Sequence, residues 1–145
     1  MKIIVSLSLL LLTGFVMNSQ NWVNDLDEAK KMASDKNISI ILVFQGSDWC
    51  APCIKLDKEI WSTQEFIEYA NEHYVMLKAD FPRKKKNALQ KEQQEKNNNL
   101  AENYNKNGYF PFVVVLNNEG KVLNELGYKK SNPKDYIKLL NSTNN

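Results

Sequence analysis

The chain reads as one α/β layer sandwich built on a mixed β-sheet, and three observations lead there. Residues 38–44 and Phe112–Leu116 are nearly continuous apolar runs rich in branched side chains, the mark of strands covered on both faces. Around them, segments with helical spacing alternate with strand candidates in the order helix, strand, helix, strand, helix, strand, strand, helix. The 145 residues, 43% hydrophobic and 25% charged, have the composition of an ordinary globular protein and room for a single core.

The elements follow in order. Lys2 and the apolar stretch 3–16, interrupted only by Ser6, Ser8, Thr13 and Gly14, read as a secretory signal peptide over residues 1–20. The stretch is short for a spanning helix, which needs about 20 apolar residues. Asn18-Ser19-Gln20 offers no Ala-x-Ala site, so the cut is placed near Ser19 or Gln20, with an uncleaved anchor as the alternative. Residues 21–145 then form the folded domain. Residues 25–36 have helical spacing, with Leu26, Ala29, Met32 and Ala33 on one side and acids near the start; Asn37 breaks the pattern. The buried strand 38–44 leads into Gln45-Gly46-Ser47-Asp48, a loop that delivers Trp49 and Cys50-Ala51-Pro52-Cys53. A helix follows through Trp61, then a shorter one carrying Phe66, Ile67, Tyr69 and Ala70. Residues 74–79 form the next strand, ended by Asp80-Phe81-Pro82.

Residues 83–107 are the least ordinary part, read as a charged helical insertion. They open with Arg83-Lys84-Lys85-Lys86 and run from Gln90 to Asn99 without an apolar side chain before Leu100, Ala101 and Tyr104. That composition predicts two helical pieces around an exposed, low-complexity middle. Pro111 opens the strand Phe112–Leu116, Asn117-Asn118-Glu119-Gly120 has hairpin-turn chemistry, and Val122–Leu126 returns antiparallel. Asn132 caps a last helix with Pro133 in its first turn, burying Tyr136, Ile137 and Leu140.

The net charge of +2, or +1 once the leader with Lys2 is removed, predicts no general attraction to nucleic acid or acidic membranes. Both cysteines of the chain lie in one Cys-x-x-Cys motif. Export would place them where disulfides persist, so a structural staple has to be weighed. Closing a four-residue loop is worth about 2 kcal/mol in the chain-entropy model, against about 3 kcal/mol for fifteen residues. A bridge joining no distant parts of the fold is a poor staple. At a helix start the same pair becomes reactive: residues i and i+3 share a face, and the free first-turn amides and helix dipole favour a thiolate at Cys50. Pro52 is tolerated there. An ordinary thiol with a pKa of about 8.5 is only a few per cent ionised at pH 7, whereas a pKa of about 7 leaves roughly half as thiolate. The expected chemistry is thiol–disulfide exchange, with Cys50 attacking and Cys53, less accessible, resolving the mixed disulfide.

Trp49-Cys50-Ala51-Pro52-Cys53 after a buried strand resembles the active site of the thioredoxin superfamily. The wider pattern from Phe44 to Cys50, followed by Leu56-Asp57-Lys58-Glu59-Ile60-Trp61, resembles its exported branch, related to periplasmic disulfide reductase domains. The resemblance covers roughly residues 22–140 and implies a thioredoxin-like three-layer sandwich whose mixed four- to five-stranded sheet is flanked by helices. It also implies a cis-proline beside the dithiol, for which Phe110-Pro111 stands in position; a trans proline at a strand start is the alternative. If the bond is cis, the Phe110 backbone would face Cys50 and could pair with an extended substrate. Trp49 would be a surface platform, or else a packed tryptophan. Implied partners are proteins with disulfides or thiols and an electron donor, for which a membrane disulfide reductase is the candidate; the implied location is periplasmic or secreted, with no cofactor. Two departures matter. The buried Asp that many thioredoxins carry six residues before the first cysteine is Phe44 here, and the lysine that often neighbours it is replaced by Met76. Asp48 and Lys78 are the candidates to replace that proton acceptor, or water or substrate serves.

Ala51-Pro52 resembles the Gly-Pro of reducing members more than the His-containing pairs of oxidants, which favours a reductase or isomerase. Other readings stay open: a soft-metal site holding Cu(I) on the two thiolates, or an assembly protein gripping partners through residues 83–107. His73 is the only histidine, so a four-ligand zinc site lacks ligands. The Arg83–Lys86 run can dock an acidic partner, although such runs are more often merely solvated. Asn37-Ile38-Ser39 and Asn141-Ser142-Thr143 fit the glycosylation pattern, which recurs by chance.

Overall fold

The computed structural model describes residues 19–142. The signal peptide read over 1–20 therefore lies almost wholly outside the described residues, as does Thr143. Strand β1 (Trp22–Val23) is followed by α1 (Leu26–Lys36), β2 (Ser39–Gln45), α2 (Ala51–Leu56) running into a π-helical turn (Asp57–Trp61), and α3 (Gln64–His73). Then come β3 (Tyr74–Asp80), a 3-10 turn (Lys85–Asn87), α4 (Lys91–Tyr104), β4 (Phe112–Leu116), β5 (Val122–Leu126) and α5 (Pro133–Asn141). The five strands lie in the order β1-β3-β2-β4-β5. β1, β3 and β2 run parallel, and β4 and β5 extend the sheet antiparallel. The expected three-layer α/β sandwich is the observed one, with five strands.

Alternation along the strands divides the core in two. Ile41, Val43, Met76, Val113 and Val115 meet Leu56, Ile60, Trp61, Phe66, Tyr136 and Leu140 from α2, the π turn, α3 and α5. Ile40, Leu42, Phe44, Val75, Leu77, Val114 and Leu116 meet Ala29 and Ala33 of α1 and Leu100 of α4. Burying each large aliphatic side chain is worth about 1.5–3 kcal/mol, and β2, buried from Ile40 to Gln45, is covered on both faces as its composition requires. Trp61 anchors the first half, edge-on to Phe66 at 4.9 Å, Tyr136 at 5.4 Å and Trp22 at 6.3 Å.

Local chemistry sets the ends. Asp25 caps α1 by accepting from the Glu28 amide at 2.9 Å, and Asn37 ends it in a left-handed conformation with φ 52°. Asn117 Oδ1 accepts from the Glu119 and Lys121 amides, and Gly120 with φ +87° turns the hairpin. Asn132 caps α5 by accepting from the Asp135 amide at 2.8 Å, ahead of Pro133.

Residues 83–107 depart from expectation. Their low-complexity middle is the interior of one continuous helix, α4, preceded by a single 3-10 turn. Amide side chains there do the docking that apolar ones do elsewhere. Asn97, buried, donates to the Asp80 carbonyl at 2.8 Å and accepts from Gln93 at 2.8 Å. Gln93 also donates to the Asn24 carbonyl, and Lys96 bridges Asp25 and Glu92. A hydrophobicity pattern is blind to such contacts. Strand β1 was not assigned from sequence because two residues carry no period.

Replacing Asn97 with Ala should destabilise the protein by about 1–2 kcal/mol, the cost of leaving a buried carbonyl unpaired, slightly offset by better helix propensity. Asn98→Ala, at an exposed position on the same helix, should be neutral or slightly stabilising. Urea unfolding of both variants checks this pair of outcomes.

Candidate redox site

The site is assembled where β2 runs out. Gly46 follows Gln45, and its carbonyl accepts from the Trp49 amide at 3.3 Å and the Cys50 amide at 2.9 Å, which curls the chain into the start of α2. Glycine is required for space rather than for backbone angle: a Cβ on Gly46 would fall inside the Trp49 indole. The loop is also tied to the exit of β3. The Ser47 amide and hydroxyl donate to the Asp80 carboxylate at 2.9 and 2.6 Å. The Trp49 indole N–H donates to the Phe81 carbonyl at 2.7 Å. Asp48 accepts from the Arg83 and Lys84 amides, each at 3.0 Å, and from the Asn87 side chain at 2.9 Å.

Cys50 occupies the N-cap of α2 and Cys53 its third helical position. The two are joined in a disulfide, with Cα atoms 5.2 Å apart, and the Cys50 sulfur accepts from the Cys53 amide at 3.3 Å. A sulfur thus sits where a capping oxygen would, facing the unpaired amides of the first turn. Ala51 and Pro52 between them are exposed. In this oxidised form both cysteines are 3% exposed. The difference in accessibility expected from the sequence is therefore absent here, and the two sulfurs differ by their place on the helix.

The Phe110–Pro111 bond is cis. The Phe110 ring lies 5.4 Å from that of Trp49 and 5.5 Å from that of Phe81. Asn105 holds the approach to this bond by donating to the Tyr109 carbonyl and accepting from its amide. Trp49 packs on Gly46 and Phe110, yet stays partly open to solvent under the Arg83 guanidinium, 3.5 Å from the ring centroid.

The candidates for a proton acceptor separate clearly. Phe44 is stacked with Phe112 in the opposite half of the core, and Met76 is buried. Asp48 does not suit the role. Donation from the Arg83 amide, then from Asn87 and the Lys84 amide, holds its carboxyl at about 2. Lys78, half-buried, lies 4.4 Å over the Trp22 ring; burial pushes its pKa down while the Asp57 and Asp80 carboxylates pull it back up. Sequence reasoning missed Asp57. It lies one turn beyond Cys53, and both line a cleft of about 180 Å³ with Gln45, Ser47 and Ile54. The signal was present as the i, i+4 spacing of Cys53 and Asp57 on one helix face. His73 stacks on Tyr69 at 4.0 Å, away from these residues. Among the described residues, no three His, Cys, Asp or Glu side chains are grouped to hold a metal ion.

The depressed pKa of Asp48 has a sign. A carboxyl at about 2 in the folded chain against an ordinary 3.8 contributes stability that is complete above 3.8 and lost as pH falls through about 2. Asp48→Ala should thus lower the thermal midpoint at pH 5, and the difference from wild type should narrow as pH falls from 3.8 through about 2 (thermal melts across that range check it).

Comparison with known proteins agrees with this geometry. A family model described as thioredoxin-like matches residues 21–118. The disulfide bond reductase DsbH of Chlamydia pneumoniae is 36% identical over 115 residues, 79% of this chain and 68% of that protein. The thioredoxin-related protein DsbJ of the same organism is 26% identical over 106 residues, 73% of this chain but only 30% of its own length. A solved structure of a DsbH oxidoreductase superposes with a TM-score of 0.76 at 34% identity, over 83% of this chain and 81% of that one. With its Cys-x-x-Cys disulfide at the head of α2 and a cis-proline before β4, the chain belongs to the thioredoxin-like family.

Proposed function

We propose that the protein is an exported thiol–disulfide oxidoreductase that reduces protein disulfides through Cys50 and Cys53. The observation that carries this reading is the pairing of its only two cysteines across the first turn of α2. The similarity to a protein named disulfide bond reductase supports the reducing direction. The leader-like residues 1–20 support export to a periplasmic or extracellular compartment.

In the reduced protein, the Cys50 thiolate attacks one sulfur of a substrate disulfide. A Cys50–substrate bond forms and the other substrate sulfur leaves as a thiolate, which takes up a proton. Cys53 loses its proton and attacks the Cys50 sulfur. The Cys50–Cys53 bond closes, and the second substrate sulfur leaves as a thiolate. Two electrons have passed to the substrate, so each turnover requires a dithiol donor to reopen the pair. In the compartment proposed, that donor is a membrane-borne reductase.

The remaining residues have defined parts in this scheme. Trp49 and Phe110 flank the substrate, and the backbone before Pro111 pairs with its extended chain. Asp57 receives the Cys53 proton, directly or through water in the shared cleft, which is roomy and polar enough to hold water. Lys78, whose pKa the Asp57 carboxylate raises against burial, adds a positive charge near this acceptor.

Two tests follow. Insulin reduction driven by dithiothreitol should fall to the uncatalysed rate in Cys50→Ser, while Cys53→Ser should accumulate a mixed disulfide visible by mass spectrometry; a Cys50→Ser rate equal to wild type would refute the catalytic reading. Asp57→Asn should slow release of the mixed disulfide by on the order of tenfold or more near neutrality, the scale of a lost general base. That defect should shrink as pH rises and Cys53 ionises unaided, which a merely structural loss would not do.

A further inference from the structure

On the helices some cations have partners and others, such as Lys30, Lys36, Lys55, Lys58 and Lys134, have none among the described residues. Lys31 pairs with Asp35, Lys91 with Glu95, Lys96 with Glu92, and Lys138 with Asp135, each within one helical turn. The exit of β3 stands out because its cations are concentrated with no acid among them. Residues 81–91 contain Arg83, Lys84, Lys85, Lys86 and Lys91 and no acid. Arg83, Lys84, Lys85 and Lys86 are all exposed, and none has an ion-pair partner among the described residues.

Their position is fixed against the redox pair. Asp48, two residues before Cys50, holds the amides of Arg83 and Lys84 at 3.0 Å, and Asn87 closes the same clamp. The Arg83 guanidinium is laid on the Trp49 ring, next in sequence to Cys50. Asp48 offsets one of the four charges, and Asp80 is engaged by Ser47. A net excess of positive charge is left at the rim of the site. The rim lies on a chain whose overall charge is only +2, so it is a local feature and not a consequence of composition.

Resting on the oxidoreductase reading above, we propose that Arg83, Lys84, Lys85 and Lys86 form an electrostatic docking rim that selects acidic polypeptide segments flanking the disulfide to be reduced. A substrate chain lying over Trp49 and Phe110 brings the residues next to its cystine alongside this rim. Aspartate or glutamate there completes the ion pairs that the protein itself does not make. Exposed pairs of this kind act mainly on encounter rate and register and are screened by salt.

The test uses two disulfide-bridged peptides of equal length, one with Asp and Glu around the cystine and one with Lys and Arg, beside the uncharged hydroxyethyl disulfide. At about 20 mM salt, wild type should reduce the acidic peptide with a kcat/KM on the order of tenfold above the basic one, and about 500 mM salt should remove most of that ratio. Lys84→Gln/Lys85→Gln/Lys86→Gln should bring the ratio near one. Lys84→Glu/Lys85→Glu/Lys86→Glu should invert it, an outcome that misfolding cannot produce. Equal rates on both peptides in wild type, or a ratio unmoved by charge reversal, would overturn the docking rim alone. Failure of wild type to reduce any of the three disulfides would overturn the oxidoreductase reading and the rim with it.

Discussion

The short loop Gly46–Trp49 is bonded to the exit of β3, and the placement of the redox pair depends on that seam. A parallel β2–β3 pair leaves both strands ending at the same edge of the sheet, but it does not by itself set the direction of the helix that follows. Ser47 on Asp80, Trp49 on the Phe81 carbonyl and Asp48 on the Arg83 and Lys84 amides do so. Gly46 lets the indole close over the turn. With the loop held, Cys50 becomes the cap of α2, and Cys53 lies one turn away with its amide aimed at the Cys50 sulfur. The redox pair, the Trp49 ring and the basic residues after β3 are all positioned by these few contacts.

The same seam bears on how the site works with Phe44 at the position where the resemblance to thioredoxins implies a buried aspartate. Phe44 takes that position and is committed to the core facing α1. Carboxylates are plentiful near the loop, but Asp48 and Asp80 are occupied in holding it together. Asp57 is the one that opens on the Cys53 cleft. Lys78 lies on the sheet face toward α2, close enough to Asp57 and Asp80 for both to raise its pKa against burial. In the mechanism proposed, the proton route thus runs through the helix, at a position one turn beyond the resolving sulfur.

Much of this was legible in the residues. Branched apolar runs announced β2 and β4, helical spacing with acids near its start marked α1, the cap Asn132 marked α5, and Trp49 to Cys53 with Phe110-Pro111 carried the redox reading. What stayed hidden was polar and tertiary. Helix α4 looked like an exposed low-complexity stretch because Asn97, Gln93 and Lys96 dock it through hydrogen bonds and an ion pair, which leave no hydrophobic period. Strand β1 is two residues long, below the reach of any pattern. Asp48 looked like a candidate proton acceptor because nothing in sequence says that its carboxylate is spent on amides 35 and 36 residues away.

The measurement that bears most directly on the whole account is the pH dependence of iodoacetamide alkylation after mild reduction, with each modified sulfur located by mass spectrometry. A helix-start dithiol should yield a single fast-reacting sulfur, Cys50, with a rate midpoint about one unit or more below the 8.5 or so of an ordinary thiol. Alkylation of neither sulfur, or of both alike with an ordinary midpoint, would contradict it.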